Sequence, residues 1–145
     1  MIRVNLICVG KLKEGYWREA CAEYTKRLSR FCTLTVKELP EKSTLKEEAE
    51  DILKNLRGFV YVLAVEGKEE SSEEFATALK KLTDAGTEIT LVIGSSCGLD
   101  GSVKARADRL LSFSRLTFPH QMFRVILLEQ LYRAFMINAG AEYHK

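Results

Sequence analysis

The side chains best suited to moving a proton or holding an anion gather near the end of this 145-residue chain. Its two histidines, His120 and His144, bracket a long apolar stretch that also carries Glu129 and Arg133, and the sequence stops on Tyr143-His144-Lys145. Histidine is the side chain whose ordinary titration falls near neutral pH, so this region could carry acid-base chemistry. Glu129 and Arg133 stand four residues apart, the favourable order for an ion pair on one helix face. Arg133 lies in an apolar helix and needs a partner, for which an RNA phosphate would serve as well as a carboxylate. A polar terminus can equally be a solvated end with no chemistry.

Two further segments have the composition of a ligand site. Gly94-Ser95-Ser96-Cys97-Gly98-Leu99-Asp100-Gly101 follows an apolar run. Its glycines would let the backbone approach a ligand at the carboxyl end of a strand. The spacing is not that of a dinucleotide fingerprint, and the Gly-Lys-Ser/Thr of a Walker loop is missing. It does fit G-x-S-x-G, the hydrolase nucleophile elbow, with His120 or His144 as base and Asp100 or Asp108 as orienter. A Cys97 nucleophile is a variant of that reading. Against the elbow, Gly98 to Gly101 interrupts the helix that should follow, and the chain is short for such a fold. The second segment, Leu111 to His120, joins an apolar run to a helix start. Its hydroxyls and backbone amides could wrap an adenosine, although Ser114 and Thr117 could simply turn the chain.

The elements that must position these groups alternate. Apolar or alternating runs at 2–9, 33–39, 59–65 and 88–93 predict strands, and helical periodicity marks 14–30, 44–56 and 72–83. Glu47 and Glu48, and Glu73 and Glu74, stand in the first turns of the latter two helices. The alternation predicts an α/β fold, a mostly parallel sheet with helices on both faces. A short helix over 102–108, a fifth strand over 111–116 and a helix over 119–138 complete it, with Pro119 where a first turn tolerates proline. The last helix is apolar nearly all round and must be covered on two sides. A second copy of the chain is the expected second cover, giving a homodimer.

Length fits one domain over 1–145 with a core of ordinary size. The formal charge of +2 divides unevenly, with 15 Lys+Arg against 16 Asp+Glu in residues 1–95 and 7 against 4 in 96–145. An anionic partner near the C-terminal half follows, in weak form. Cys8, Cys21, Cys32 and Cys97 lack metal-ligand spacing, so no metal is expected. The opening residues lack the apolar run of a secretion signal, and no stretch reaches transmembrane length. The expectation is a cytoplasmic protein with reduced thiols and no membrane contact.

Several motifs, taken in order, carry a resemblance over essentially the whole chain. They are Val9-Gly10-Lys11-Leu12-Lys13, Glu23-Tyr24-x-Lys26-Arg27-Leu28, Val65-Glu66-Gly67-Lys68 and Ile93-Gly94-x-Ser96-x-Gly98-Leu99. The most specific are Leu111-Ser112-x-Ser114-x-x-Thr117-Phe118-Pro119-His120-Gln121, Glu129-Gln130-x-Tyr132-Arg133-Ala134 and the terminal Tyr143-His144-Lys145. Together they resemble the bacterial pseudouridine N3-methyltransferases of large-subunit (23S) ribosomal RNA, within the SPOUT superfamily of α/β knotted enzymes.

The resemblance implies a C-terminal trefoil knot, a dimer, and S-adenosyl-L-methionine bound at the knot. Carried over by motif, cofactor contacts fall on Leu63, Gly94, Phe113, Ser114, Arg115, Leu116, Thr117 and Phe118. The implied substrate is a pseudouridine of the assembled ribosome. N3 of that base carries an imide proton, so the reaction needs a proton acceptor or a stabilised anion. In this light His144 is the candidate base, and Tyr143 is placed to stack on or hydrogen-bond the ring. Arg133 would stabilise the imide anion or hold phosphate, with Lys145 and His120 on the substrate. The chain departs from the family pattern at Ser95, where many relatives have a second glycine, and at Ala64, where an acid is common. A serine fits the turn if its φ is negative, and the missing acid implies weaker hold on the cofactor. An RNA-binding module without chemistry is the non-enzymatic alternative, told apart by failure to bind S-adenosylmethionine.

Overall fold

A computed structural model describes all 145 residues. Five strands, β1 (Ile2–Val9), β2 (Cys32–Leu39), β3 (Phe59–Glu69), β4 (Ile89–Ile93) and β5 (Arg109–Ser112), form one sheet in the order β2-β1-β4-β3-β5. Every pairing is parallel. The five helices are α1 (Gly15–Leu28), α2 (Leu45–Lys54), α3 (Ser72–Asp84), α4 (Gly101–Arg106) and α5 (His120–Asn138).

Strand periodicity divides the interior into two layers. In β1, Val4, Leu6 and Cys8 face a core built with α1, α3 and α5, whereas Ile7 and Val9 face a smaller core built with α2 and α4. The helix starts follow from their caps. Ser71 and Glu74 form a reciprocal capping box on α3, Thr44 accepts from the Glu47 amide on α2, and Asp100 accepts from the Ser102 amide on α4.

Three boundaries differ from the sequence reading. The fifth strand runs over 109–112 and not 111–116, because Ser112 and Ser114 turn the chain. The Ser112 hydroxyl donates to the Ser114 carbonyl at 3.0 Å, and the Leu116 amide to the Ser114 hydroxyl at 3.0 Å. The fourth helix ends at Arg106, and Asp108 instead accepts from the Val60 amide at 2.8 Å. The third strand extends past Val65, but with a gap in its ladder. Leu111 pairs with Leu63 and again with Lys68, so residues 64–67 loop out between the two pairings.

Helix α5 lies on one face of the sheet, packed against both α1 and α3. These neighbours provide part of the cover that the sequence reading assigned to a second subunit. Arg124 ties its first half to the sheet. This residue is buried, donates to Glu38 at 2.6 Å at the end of β2, and donates to the Gly10 carbonyl at 3.2 Å after β1. No helix is long and apolar enough to cross a membrane.

Gly67 closes the looped-out segment against β5. A Cβ there would stand 2.7 Å from backbone atoms of Leu110 and Leu111, which cannot give way independently of the sheet. Gly67→Ala is expected to cost about 1–3 kcal/mol, the usual range for overpacking, read as a lower urea midpoint at unchanged slope. All four cysteines are free, and burial pushes Cys8 up to about 12 and Cys32 up to about 11. Exposed Cys97 should therefore react with a thiol reagent in the native state, while Cys8, Cys21 and Cys32 react only on unfolding.

Candidate active site

The carboxyl ends of β3, β4 and β5 open into a cavity of about 660 Å³. Three stretches wall it: the looped-out Ala64, Val65 and Glu66; the turn from Gly94 to Leu99; and the segment from Leu111 to His120. Each wall has a local cause. The first exists because β3 leaves its ladder. The second depends on Gly94, where a Cβ would stand 2.5 Å from the Gly98 carbonyl oxygen and 2.7 Å from the Leu99 side chain. The third is the Ser112–Ser114 turn that ends β5.

Volume and lining suit a cofactor-sized ligand, apolar with a few polar groups. Leu63, Gly94, Phe113, Ser114, Leu116, Thr117 and Phe118 all line the cavity, as does His120 at the first turn of α5. Arg115 is the exception among the residues expected to hold the cofactor. Its side chain points to solvent, lies 3.8 Å from Glu69 and does not line the cavity. Ser95 has a negative φ, as a serine there requires, and its buried hydroxyl donates to Glu48 at 3.3 Å.

The hydrolase reading does not survive this geometry. The turn 94–98 closes on itself through Ser95 and Gly98 and does not feed a helix. Asp100 is occupied by capping α4 and Asp108 by the Val60 amide, so neither acid orients a histidine. No hydrogen bond joins Ser96 or Cys97 to either histidine.

The terminal residues form a second cluster at the other end of α5. Arg133 donates from Nε to Glu129 at 2.8 Å and from Nη1 to His144 Nδ1 at 3.0 Å. Because arginine only donates, Nδ1 must be the accepting nitrogen, which leaves the ring proton on Nε2 facing the Glu73 carboxylate. The guanidinium lies 4.9 Å over the Tyr143 ring, which meets Tyr132 edge-on, also at 4.9 Å. Glu129 raises the titration of Arg133, burial raises that of Tyr143, and the His144 hydrogen bond holds Glu73 below the usual carboxylate range. Lys145 is exposed and makes no ion pair.

The structure thus brings His144, Tyr143 and Arg133 together but does not bring them to the cavity. Arg133 lies thirteen positions after His120, roughly 20 Å along the helix axis. Sequence reasoning also missed Glu73. Its place in the first turn of α3 is fully accounted for by the helix dipole, and nothing local links it to a residue 71 positions away.

The family model described as predicted SPOUT methyltransferase matches residues 2–144. The chain belongs to the SPOUT methyltransferase family. As a SPOUT methyltransferase it implies a methyl donor, and the volume and mixed lining of the cavity fit one of that size. The chain is 48% identical over 162 residues to the ribosomal RNA large subunit methyltransferase H of Lactobacillus acidophilus, covering 99% of this chain and all of that one. It is 48% identical over 159 residues to the protein of the same name from Streptococcus equi subsp. zooepidemicus, with the same coverage. Among solved structures, the fold is shared with the "Probable Methyltransferase" of Bordetella pertussis Tohama I. The TM-score is 0.60 at 13% identity, covering 92% of this chain and 95% of that one.

The Glu73–His144 contact has a direct test. The Glu73 carboxyl is depressed by this hydrogen bond, so the pair contributes above the ordinary carboxylate range and is lost as pH falls through the depressed value. In His144→Ala the Glu73 carboxyl should titrate at higher pH than in the wild type, followed by carboxyl-carbon NMR. An unchanged titration would mean that the pair is not formed in solution.

Proposed function

We propose that this single-domain chain works as a cytoplasmic homodimer that transfers the methyl group of S-adenosyl-L-methionine to N3 of a pseudouridine in large-subunit ribosomal RNA, on the assembled ribosome. The observation that supports it most is the cavity. Its walls include Leu63, where β3 leaves its ladder, the Gly94 turn and the 113–118 segment, the places where the family pattern puts the cofactor. The names of the full-length relatives support the RNA substrate. The knotted threading of the segment after β5 belongs to the same reading.

When bound, the cofactor supplies an electrophilic methyl group, and the residues of this chain must present a deprotonated nitrogen in line with it. In the proposed chemistry Arg133 moves its Nη1 from His144 Nδ1 to the developing imide oxygen, and the freed Nδ1 takes the N3 proton. Glu73, already on Nε2, then holds the imidazolium, as the carboxylate does in a catalytic triad. Tyr143 offers a ring face and Lys145 a phosphate contact, with His120 on the substrate at the cavity mouth.

The separation of the two clusters along α5 supports a site completed between copies, the tail of one protomer serving the cavity of its partner. Half-buried Phe123, Val125 and Ile126 on α5 are available for that contact. The modest basic excess argues for recognition of a folded particle in preference to free RNA.

Methyl-labelled S-adenosylmethionine and ribosomes lacking the modification provide the test. Label is expected in pseudouridine of the large-subunit RNA, and little in ribosomes whose target uridine was never isomerised. His144→Ala should lower the single-turnover rate by about 10²-fold or more at saturating cofactor and ribosome. A full rate in that variant would remove His144 from the chemistry. Mixing a cavity-defective Gly94→Val protein with His144→Ala should restore part of the activity if the site is shared between protomers; no restoration would place both clusters in one chain.

A further inference from the structure

The cavity lining contains one carboxylate, Glu66, and one ammonium, Lys104. They are paired, Nζ to Oε1 at 2.5 Å, with side chains 34% (Lys104) and 49% (Glu66) exposed. Glu66 reaches this place because residues 64–67 leave the β3 ladder, and Lys104 meets it there from α4. An ion pair this exposed contributes little to stability, and although the last turn of α4 suits a cation at Lys104, nothing local calls for the acid that meets it at the mouth of an otherwise largely apolar site. The Lys104 hydrogen bond holds the Glu66 carboxyl below the usual range.

We propose that Glu66 and Lys104 form the subsite for the amino-acid end of the methyl donor, Lys104 taking its α-carboxylate and Glu66 its α-ammonium. The inference rests on the reading of the cavity as an S-adenosylmethionine site. A zwitterion is the ligand that such a pair fits. A lone phosphate would be repelled by Glu66 and a lone cation by Lys104, whereas a zwitterion replaces one ion pair with two and leaves no charge unmatched. Both side chains are long and only partly covered, so they can part to admit it without disturbing the core. The assignment fixes the ligand's direction, with its adenosine against Gly94 and the 113–118 segment and its amino acid toward β3 and α4.

Two probes isolate this contact. S-Adenosylhomocysteine and 5′-methylthioadenosine are both neutral at sulfur, but only the first carries the amino-acid group. Calorimetry on the purified full-length protein should show Lys104→Ala and the double variant E66Q/K104A weakening S-adenosylhomocysteine by about tenfold or more. Methylthioadenosine should change by less than about twofold in the same proteins, and Lys104→Arg should keep most of the preference. Equal affinity for S-adenosylhomocysteine in wild type and Lys104→Ala overturns the proposal, as does equal weakening of both probes. A wild-type protein that binds neither probe nor S-adenosylmethionine overturns the cofactor reading itself, an outcome distinct from loss of the zwitterion contact alone.

Discussion

Leu111 pairs twice with β3, once with Leu63 and once with Lys68, and the functional half of the molecule depends on that double pairing. A continuous ladder would press residues 64–67 flat against β5 and leave no wall at the end of the sheet. By leaving and rejoining, β3 gives the cavity one side and brings Glu66 opposite Lys104. The rejoining demands Gly67, because the backbones approach too closely there for any side chain. On the other side, Gly94 does the same work by contact with Gly98 and Leu99. Two glycines, neither with a positive φ, are needed for close approach and not for unusual conformation.

Helix α5 connects the cavity to the cluster of polar groups at the tail. Its first turn carries His120 on the cavity, and Arg124 anchors this half to the ends of β1 and β2. Its second half carries Glu129 and Arg133, which organise the tail around His144 and Tyr143. The buried middle of the helix, Leu127, Leu128 and Leu131, holds the two ends at fixed separation. In the proposed dimer that rigidity sets the span from one protomer's tail to its partner's cavity.

The sequence is most readable where periodicity carries the information. The runs at 2–9 and 88–93 alternate between two cores as a buried parallel strand must, and Glu73 and Glu74 mark the first turn of α3. The Glu129–Arg133 pair was equally legible, because both partners lie on one helix. What escaped has no local signature. The loop-out at 64–67 is defined by the register of β5, some 45 residues away, and the extension of β3 beyond it looks like ordinary polar chain. Glu73 as the partner of His144 is a fact of tertiary packing between α3 and the tail. Glu66 was visible as part of a motif, but its pairing with Lys104 appears only in the folded chain.

The sheet order has a consequence for how the chain acquires its shape. The first strand, β1, pairs on one side with the central strand β4, Val4 opposite Ile89, so the middle of the sheet cannot close until more than half of the protein has been synthesised. Until then β1 has only β2 as a neighbour, and its other edge presents unpaired amides and carbonyls beside an apolar run. Contacts of such long sequence separation must be reached before they repay the entropy of closing the loop, which slows folding and lengthens the interval in which that edge is open to other chains. Self-association of a truncated nascent chain is the hazard that this topology carries from the start of translation.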